Sequence, residues 1–272
     1  MLDKNDIKLT SLRLGKSETV IPKGGSEKLS FSVAPSNAGN KKLLLQSADE
    51  KIAAIDENGV ITAKGFGKTT VTASSLDSSN LSAVCSVTVV PQKSEKLCQS
   101  PKKTKQTSVT VSWKKVSGAS GYRLYRYNKT KKTYALICET TGTSFTVKNL
   151  KAGTDKYFAV RPFALVDGLR LFGAMSEPVL ICTRPESPVV SGSLKKKKAI
   201  FKWKKVSGAT GYEVYVKKNG KYVLQKRLSA SKTVFEKNLK KNEKCVLRVR
   251  SVIKADTAVL CSAYSKTTSV RR

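Results

Sequence analysis

A ten-residue run occurs twice in this chain and limits its fold more than any other feature. Residues 113–122 read Trp-Lys-Lys-Val-Ser-Gly-Ala-Ser-Gly-Tyr, and residues 203–212 read the same except that Thr210 replaces Ser120. The offset of 90 residues matches the length in which a two-sheet antiparallel sandwich encloses a core of its own, about 90–100 residues. A second pair follows in the same order, Lys148-Asn149-Leu150-Lys151 and Lys237-Asn238-Leu239-Lys240. Behind it, Phe158-Ala159-Val160-Arg161 corresponds to Leu247-Arg248-Val249-Arg250. Two copies of one unit therefore fill residues 92–272. They join at Thr183-Arg184-Pro185, with Pro188 beyond. Prolines there stiffen a short linker and cannot donate to a sheet ladder.

Within each copy the pattern is strand and turn. Val109, Val111 and Trp113 alternate toward a core, as do Ile200 (with its neighbour Phe201) and Trp203 less regularly. Gly118 and Gly121 bound a tight connection. Tyr122 and Leu124 then face inward, while Arg123, Tyr125 and Tyr127 face outward. Asp167-Gly168 signals a hairpin, because glycine tolerates positive φ. Nothing has the length and period of a long helix, and no apolar run approaches the roughly 20 residues that span a bilayer. The chain is expected to be all-β, with three tandem immunoglobulin-like β-sandwiches over residues 1–91, 92–183 and 184–272.

The two C-terminal copies resemble the fibronectin type III domain, as found in tandem on Gram-positive bacterial surface proteins. The resemblance rests on Trp113, on Gly121-Tyr122-Arg123-Leu124-Tyr125, and on Leu150, Gly153-Thr154, Phe158 and Val160-Arg161 across the next corner. One departure stands out. The family places a tyrosine six residues after that leucine to pin the corner, and here the positions hold Lys156 and Cys245. Residues 1–91 differ. Their order of motifs runs through Val33-Ala34-Pro35, Ile52-Ala53-Ala54-Ile55, Asp56-Glu57-Asn58-Gly59, Val60-Ile61-Thr62-Ala63-Lys64-Gly65 and Cys85-Ser86-Val87-Thr88-Val89. This is similar to the bacterial Ig-like domain of group 2, and Asp56 to Gly59 read as a turn between two short strands. Both resemblances imply an extracellular or cell-surface setting and no particular ligand. The first residues, Met1-Leu2-Asp3-Lys4, lack the layout of a signal peptide, which leaves a cytoplasmic protein or a fragment whose export signal lies elsewhere; the modular content favours a fragment of a larger exported protein.

Histidine is absent, which removes Ser-His and Cys-His nucleophile pairs, histidine metal ligands and the commonest general base. No phosphate-cradling glycine loop occurs, and acids such as Asp49-Glu50 and Asp56-Glu57 fall in turns. Neither catalysis nor a cofactor or metal is expected. Cys85, Cys98, Cys138, Cys182, Cys245 and Cys261 lack zinc-site spacing and read as free thiols. A Cys98–Cys182 bridge is set aside because the two are expected near opposite ends of the second sandwich.

The net charge of +33 is unevenly spread. Residues 1–91 carry 11 basic and 9 acidic side chains, residues 92–183 carry 17 and 5, and residues 184–272 carry 24 and 5. A polyanion should therefore dock on the last two modules. Lys195-Lys196-Lys197-Lys198 must lie in a turn or on an edge, since alternation in a buried strand would point two of them at the core. With Lys204 and Lys205 they form one candidate surface for a glycan or anionic cell-wall polymer. Solubility and edge protection are the competing explanation, and 41 lysines against 11 arginines suit diffuse charge. A second candidate is an outward platform of Arg123, Tyr125, Tyr127 and Arg161, with Tyr157 on the adjacent strand, to stack sugar rings or meet a host surface protein. Cross-strand packing is the competing explanation for those tyrosines, and the favoured one. The functional expectation is adhesion or polymer binding by a monomer, without specific nucleic-acid binding or membrane insertion. A passive spacer that presents another domain is the alternative, and a nucleic-acid binder a more distant one.

Overall fold

The computed structural model describes residues 7–272, and every regular element among them is a β-strand. The first sandwich contains β1 (Ser11–Leu14), β2 (Glu18–Pro22), β3 (Ser26–Lys28), β4 (Phe31–Ala34), β5 (Leu43–Ser47), β6 (Ala53–Ile55), β7 (Val60–Ala63), β8 (Gly67–Ser75) and β9 (Ser82–Val90). One sheet has the order β2-β9-β8-β5, with β2 parallel to β9; facing it are β3-β7-β6 and the pair β1-β4. Alternation on β8 and β9 sends Val71, Ala73, Cys85, Val87 and Val89 into the core with Ile21, Leu29 and Ile61. The Asp56 carboxylate accepts the backbone N–H groups of Asn58 and Val60, and Gly59 at φ 78° closes the β6–β7 turn.

The second sandwich contains β10 (Cys98–Gln99), β11 (Val109–Ser112), β12 (Gly121–Asn128), β13 (Thr133–Thr140), β14 (Ser144–Val147), β15 (Asp155–Val166), β16 (Leu169–Phe172) and β17 (Val179–Cys182). The third contains β18 (Val190–Lys195), β19 (Lys198–Trp203), β20 (Gly211–Lys218), β21 (Lys221–Ser229), β22 (Val234–Asn238), β23 (Lys244–Lys254), β24 (Val259–Cys261) and β25 (Thr268–Arg271). Their plans match: β10-β11-β14 against β13-β12-β15, and β18-β19-β22 against β21-β20-β23, with two short strands sharing the outer edge of β15 and of β23.

The repeated decapeptide explains itself in these cores. Trp113 and Trp203 are 5% and 6% exposed, each against its tyrosine at ring-centroid distances of 5.6 and 5.4 Å. The buried Tyr122 hydroxyl accepts the Val116 N–H at 2.8 Å, and Tyr212 accepts that of Val206 at 2.8 Å. The Val-Ser-Gly loop thus hangs from the next strand. Asp167 and Gly168 form the β15–β16 turn with φ 49° and 78°. The inward set of β19 is Ala199, Phe201 and Trp203, so Ile200 lies on the outer face and is half-buried, not inward as expected. Strict two-residue alternation from Trp203 selects Phe201, and Phe235 packs on it at 6.4 Å.

The corner without its tyrosine is tied by the residue that ends each sandwich. In the second, Thr183 donates from Oγ1 to the Lys151 carbonyl at 2.8 Å and accepts the Thr154 N–H at 3.0 Å. In the third, Arg272 donates from Nη1 to the Leu239 carbonyl at 2.9 Å. Lys156 is exposed, and Cys245 is buried as a small apolar side chain.

All six cysteines are free. Cys98 and Cys182 do not lie near opposite ends of the second sandwich, as the sequence leads one to expect. The Gln99 side chain accepts from Cys182 N at 2.9 Å and donates to Cys182 O at 3.0 Å, so the strands lie side by side rather than at opposite ends. The thiols diverge instead. Cys98 turns to Ser112, and Cys182 joins Ile253 and Leu260 of the third sandwich, where burial pushes its thiol up to about 11.

Both joints are packed. Between the first two sandwiches, a Cβ at Gly118 (φ 71°) would stand 2.5 Å from the Phe66 ring. Between the last two, Arg184 donates to three carbonyls: Nε to Thr104 at 2.7 Å, Nη2 to Pro101 at 2.8 Å and Nη1 to Cys261 at 2.9 Å. The Asp256 carboxylate adds a bond from Leu180 N at 2.8 Å.

Candidate binding surfaces

Lys195, Lys196, Lys197 and Lys198 form the tip of the β18–β19 hairpin. Lys195 pairs with Lys198, Lys196 takes φ 53°, and all four are exposed. Placement in a turn resolves the alternation problem posed by four consecutive lysines. Among the described residues, Lys198 alone of the four pairs with a carboxylate, Glu236 at 3.0 Å. Lys204 and Lys205 are also exposed but follow the opposite end of β19. Six residues of strand separate them from the hairpin tip by roughly 20 Å. The six lysines therefore form two patches.

The platform on the second sandwich has the expected register: Arg123 opposite Arg161, Tyr125 opposite Ala159 and Tyr127 opposite Tyr157. Its two arginines are already engaged. Arg123 donates from Nε to Glu139 at 2.8 Å and lies 4.6 Å from the Phe172 centroid; Arg161 donates to the Gly173 carbonyl at 2.7 Å and covers the same ring at 5.0 Å. The hydrogen bond from Arg123, joined by Arg170, holds the Glu139 carboxyl below its ordinary value. Tyr125 and Tyr127 both pack on Tyr134, at 6.2 and 4.7 Å. Both arginines are thus committed within their own sandwich.

The third sandwich carries a constellation that the sequence reading left out of its candidate residues. Glu213 is opposite Arg250, and Tyr215 is opposite Arg248. The Glu213 side chain is 11% exposed and accepts from Arg250 at 2.8 Å, from Tyr215 at 2.9 Å and from Arg227 at 3.1 Å. Burial raises its pKa, but those bonds outweigh burial and hold it below the ordinary carboxylate value. Beside it, the Arg248 guanidinium lies 3.6 Å from the Tyr264 centroid and 4.2 Å from that of Tyr222. Ser262 and Ser265 accept the N–H groups of Ser251 and Val249, each at 3.0 Å, which fixes Tyr264 over β23. The Tyr222 hydroxyl is held by Thr267 at 3.0 Å. Arg248 Nε is buried with no hydrogen-bond partner among the described residues. The available signal was divergence between the copies, since Ala159 and Met175 hold the places of Arg248 and Tyr264 at an offset of 89 residues.

Residues 8–87 match the family model of the bacterial Ig-like domain (group 2). Two uncharacterized proteins of Clostridium acetobutylicum are similar to part of the chain. One is 41% identical over 88 residues, covering 32% of this chain and 9% of the relative, and the other 36% identical over 81 residues, covering 30% and 20%. The chain thus spans a small fraction of either relative's length. Among solved structures, the FN1–FN3 domains of chicken CNTN1 are 14% identical with a TM-score of 0.36, covering 96% of both chains. A two-domain fibronectin type III segment of chicken tenascin is 20% identical with a TM-score of 0.38, covering 67% of this chain and 98% of that one. Residues 8–87 are thus similar to the bacterial Ig-like domain of group 2, and the all-β chain continues beyond them into two further sandwiches.

Proposed function

We propose that the chain is a non-catalytic, extracellular or surface-exposed segment of a larger protein, with modules at residues 1–91, 92–183 and 184–272, and that its last module binds a glycan or anionic cell-wall polymer. The distribution of unpaired charge carries this reading. Residues 184–272 hold 24 basic side chains against 5 acidic ones. Three of the five acids, Glu213, Glu236 and Glu243, already sit in ion pairs. The hairpin tip concentrates four exposed lysines, Lys195 to Lys198, of which Lys198 pairs with Glu236. The test compares charge reversal of those four lysines with reversal of Lys28, Lys42, Lys51 and Lys68, all exposed on the first module. With glycerol-phosphate teichoic acid as the probe, hairpin reversal is expected to weaken binding at least about tenfold and the control less than about threefold. Equal losses, or no binding by the unaltered chain at any salt, would overturn the reading.

A spacer that presents another domain is the second reading, favoured by the packed joints at Gly118 and Arg184. The two are compatible, because a stiff arm also fixes where its basic end can reach.

A further inference from the structure

The two arginines on the outer face of β23 are treated differently. Arg250 has a carboxylate, Glu213, and a hydroxyl, Tyr215, both bonded to it. Arg248, two residues away on the same face, has neither: no ion pair or hydrogen bond reaches its guanidinium from any described residue. Yet it is immobilised. Tyr264 and Tyr222 approach it at 3.6 and 4.2 Å, and each tyrosine is anchored, the first by the Ser262 and Ser265 bonds and the second by Thr267. A guanidinium held between aromatic rings loses rotamer freedom before any ligand arrives, and its planar fork suits bidentate binding of a carboxylate. Nε is buried without a partner while the residue as a whole is half-buried, so the accessible part of the guanidinium is the terminal edge of the fork. Lys217, exposed and opposite Tyr222 in register, adds a second positive charge at the rim.

We propose that Arg248, with Tyr222 and Tyr264 as walls, is a binding site for the carboxylate of an acidic glycan, a uronic-acid-type sugar. The proposal rests on the reading that the third module binds anionic polymer, and it supplies that reading with a specific locus. Diffuse lysine charge attracts any polyanion. A single stiff fork between tyrosine rings selects a carboxylate fixed on a ring that can lie against aromatic walls. The second sandwich has Ala159 and Met175 at the matching places and therefore has no such site.

The experiment uses the full chain and three oligomers of equal length: hexagalacturonate, maltohexaose and hexaglutamate. Arg248→Lys keeps the net charge but loses the fork. At ~0.15 M salt it is expected to bind hexagalacturonate at least about tenfold more weakly, a loss of roughly 1.4 kcal/mol. A nuclear magnetic resonance titration of the unaltered chain needs no variant and guards against misfolding. The Arg248 Nε–Hε signal should shift with hexagalacturonate, while those of Arg250 and Arg227, bonded to Glu213, stay in place. An unmoved Arg248 signal, or unchanged affinity in a folded Arg248→Lys chain, overturns the site. Equal binding of maltohexaose overturns the carboxylate, and equal binding of hexaglutamate overturns the glycan. The hairpin reversal separates the two readings. A chain that ignores teichoic acid yet shifts Arg248 with hexagalacturonate retains this site and refutes the lysine surface.

Discussion

Arg184 offers the sharpest test of how the last two sandwiches are joined. Its guanidinium bonds to the carbonyls of Thr104 and Pro101 on one side and of Cys261 on the other, at 2.7, 2.8 and 2.9 Å. A hydrogen bond from a charged donor contributes about 1.5–3 kcal/mol when dry. Arg184 is half-exposed, so water recovers part of each bond, and roughly 1 kcal/mol apiece is the reasonable figure. Arg184→Ala should therefore cost about 3 kcal/mol of joint and module stability. If the last two sandwiches melt as one unit, that corresponds to a fall in Tm of roughly 6–12 °C. Scanning calorimetry of the full chain is the assay: one joint transition in the unaltered chain should fall and divide in two. Arg184→Lys should lose most of the same stability, because one ammonium cannot reach three divergent carbonyls. The partners are neutral, so the effect should persist in ~0.5 M salt, where surface ion pairs are screened. A shift under ~2 °C with the transition undivided would refute the latch and leave the joint to the Leu180–Asp256 bond and to Cys182, Ile253 and Leu260.

Two further outcomes follow from buried polar groups. Tyr122→Phe and Tyr212→Phe each remove the only acceptor shown for a buried N–H, that of Val116 or Val206; each should cost about 1–3 kcal/mol in urea unfolding with no change of m-value. Glu213 sets an acid limit on the third sandwich. Its folded pKa is depressed, so the stability it contributes is complete above its unfolded value, near 4.5, and is lost as pH falls through the lower folded value. Unfolding followed between pH 6 and 3 should show this loss, and Glu213→Gln should flatten it; an equal acid loss in the variant would assign the effect elsewhere.

The framework of the fold was legible because repetition and alternation are both strict. A 90-residue echo carrying Trp, Gly and Tyr in fixed order dictates two copies of one core, and the side-chain period of two assigns Val109, Val111 and Trp113 inward without reference to anything distant. The errors have local causes. Ile200 was placed inward because the neighbouring apolar pair Ile200-Phe201 blurs the alternation, and only the pairing of Phe201 with Phe235 decides which of the two faces the core. The Cys98–Cys182 argument failed because β10 is two residues long and its neighbour, β17, comes from the far end of the same module. No short-range pattern reports that meeting. The Thr183 and Arg272 ties to the corner were hidden for the same reason: each bond joins residues about 30 positions apart.

The surface was less legible, since charge counts report quantity and not partnership. Ten side chains were singled out by type. Arg123 and Arg161 were among them, yet both are bonded within their own sandwich. Arg248 reads as one more positive charge among 24, and only its neighbours distinguish it: two anchored tyrosines, a carboxylate committed to Arg250, and an Nε left without a partner. Differences between the copies are more informative here than their likeness. What the two sandwiches share, Trp113 with Tyr122 and Trp203 with Tyr212, serves the core that any such module must build. What they do not share, Ala159 against Arg248 and Met175 against Tyr264, lies on the outer face, where the core makes no demand. A polar group stiffened without a core reason is the kind of departure from self-consistency that the proposed site at Arg248 accounts for.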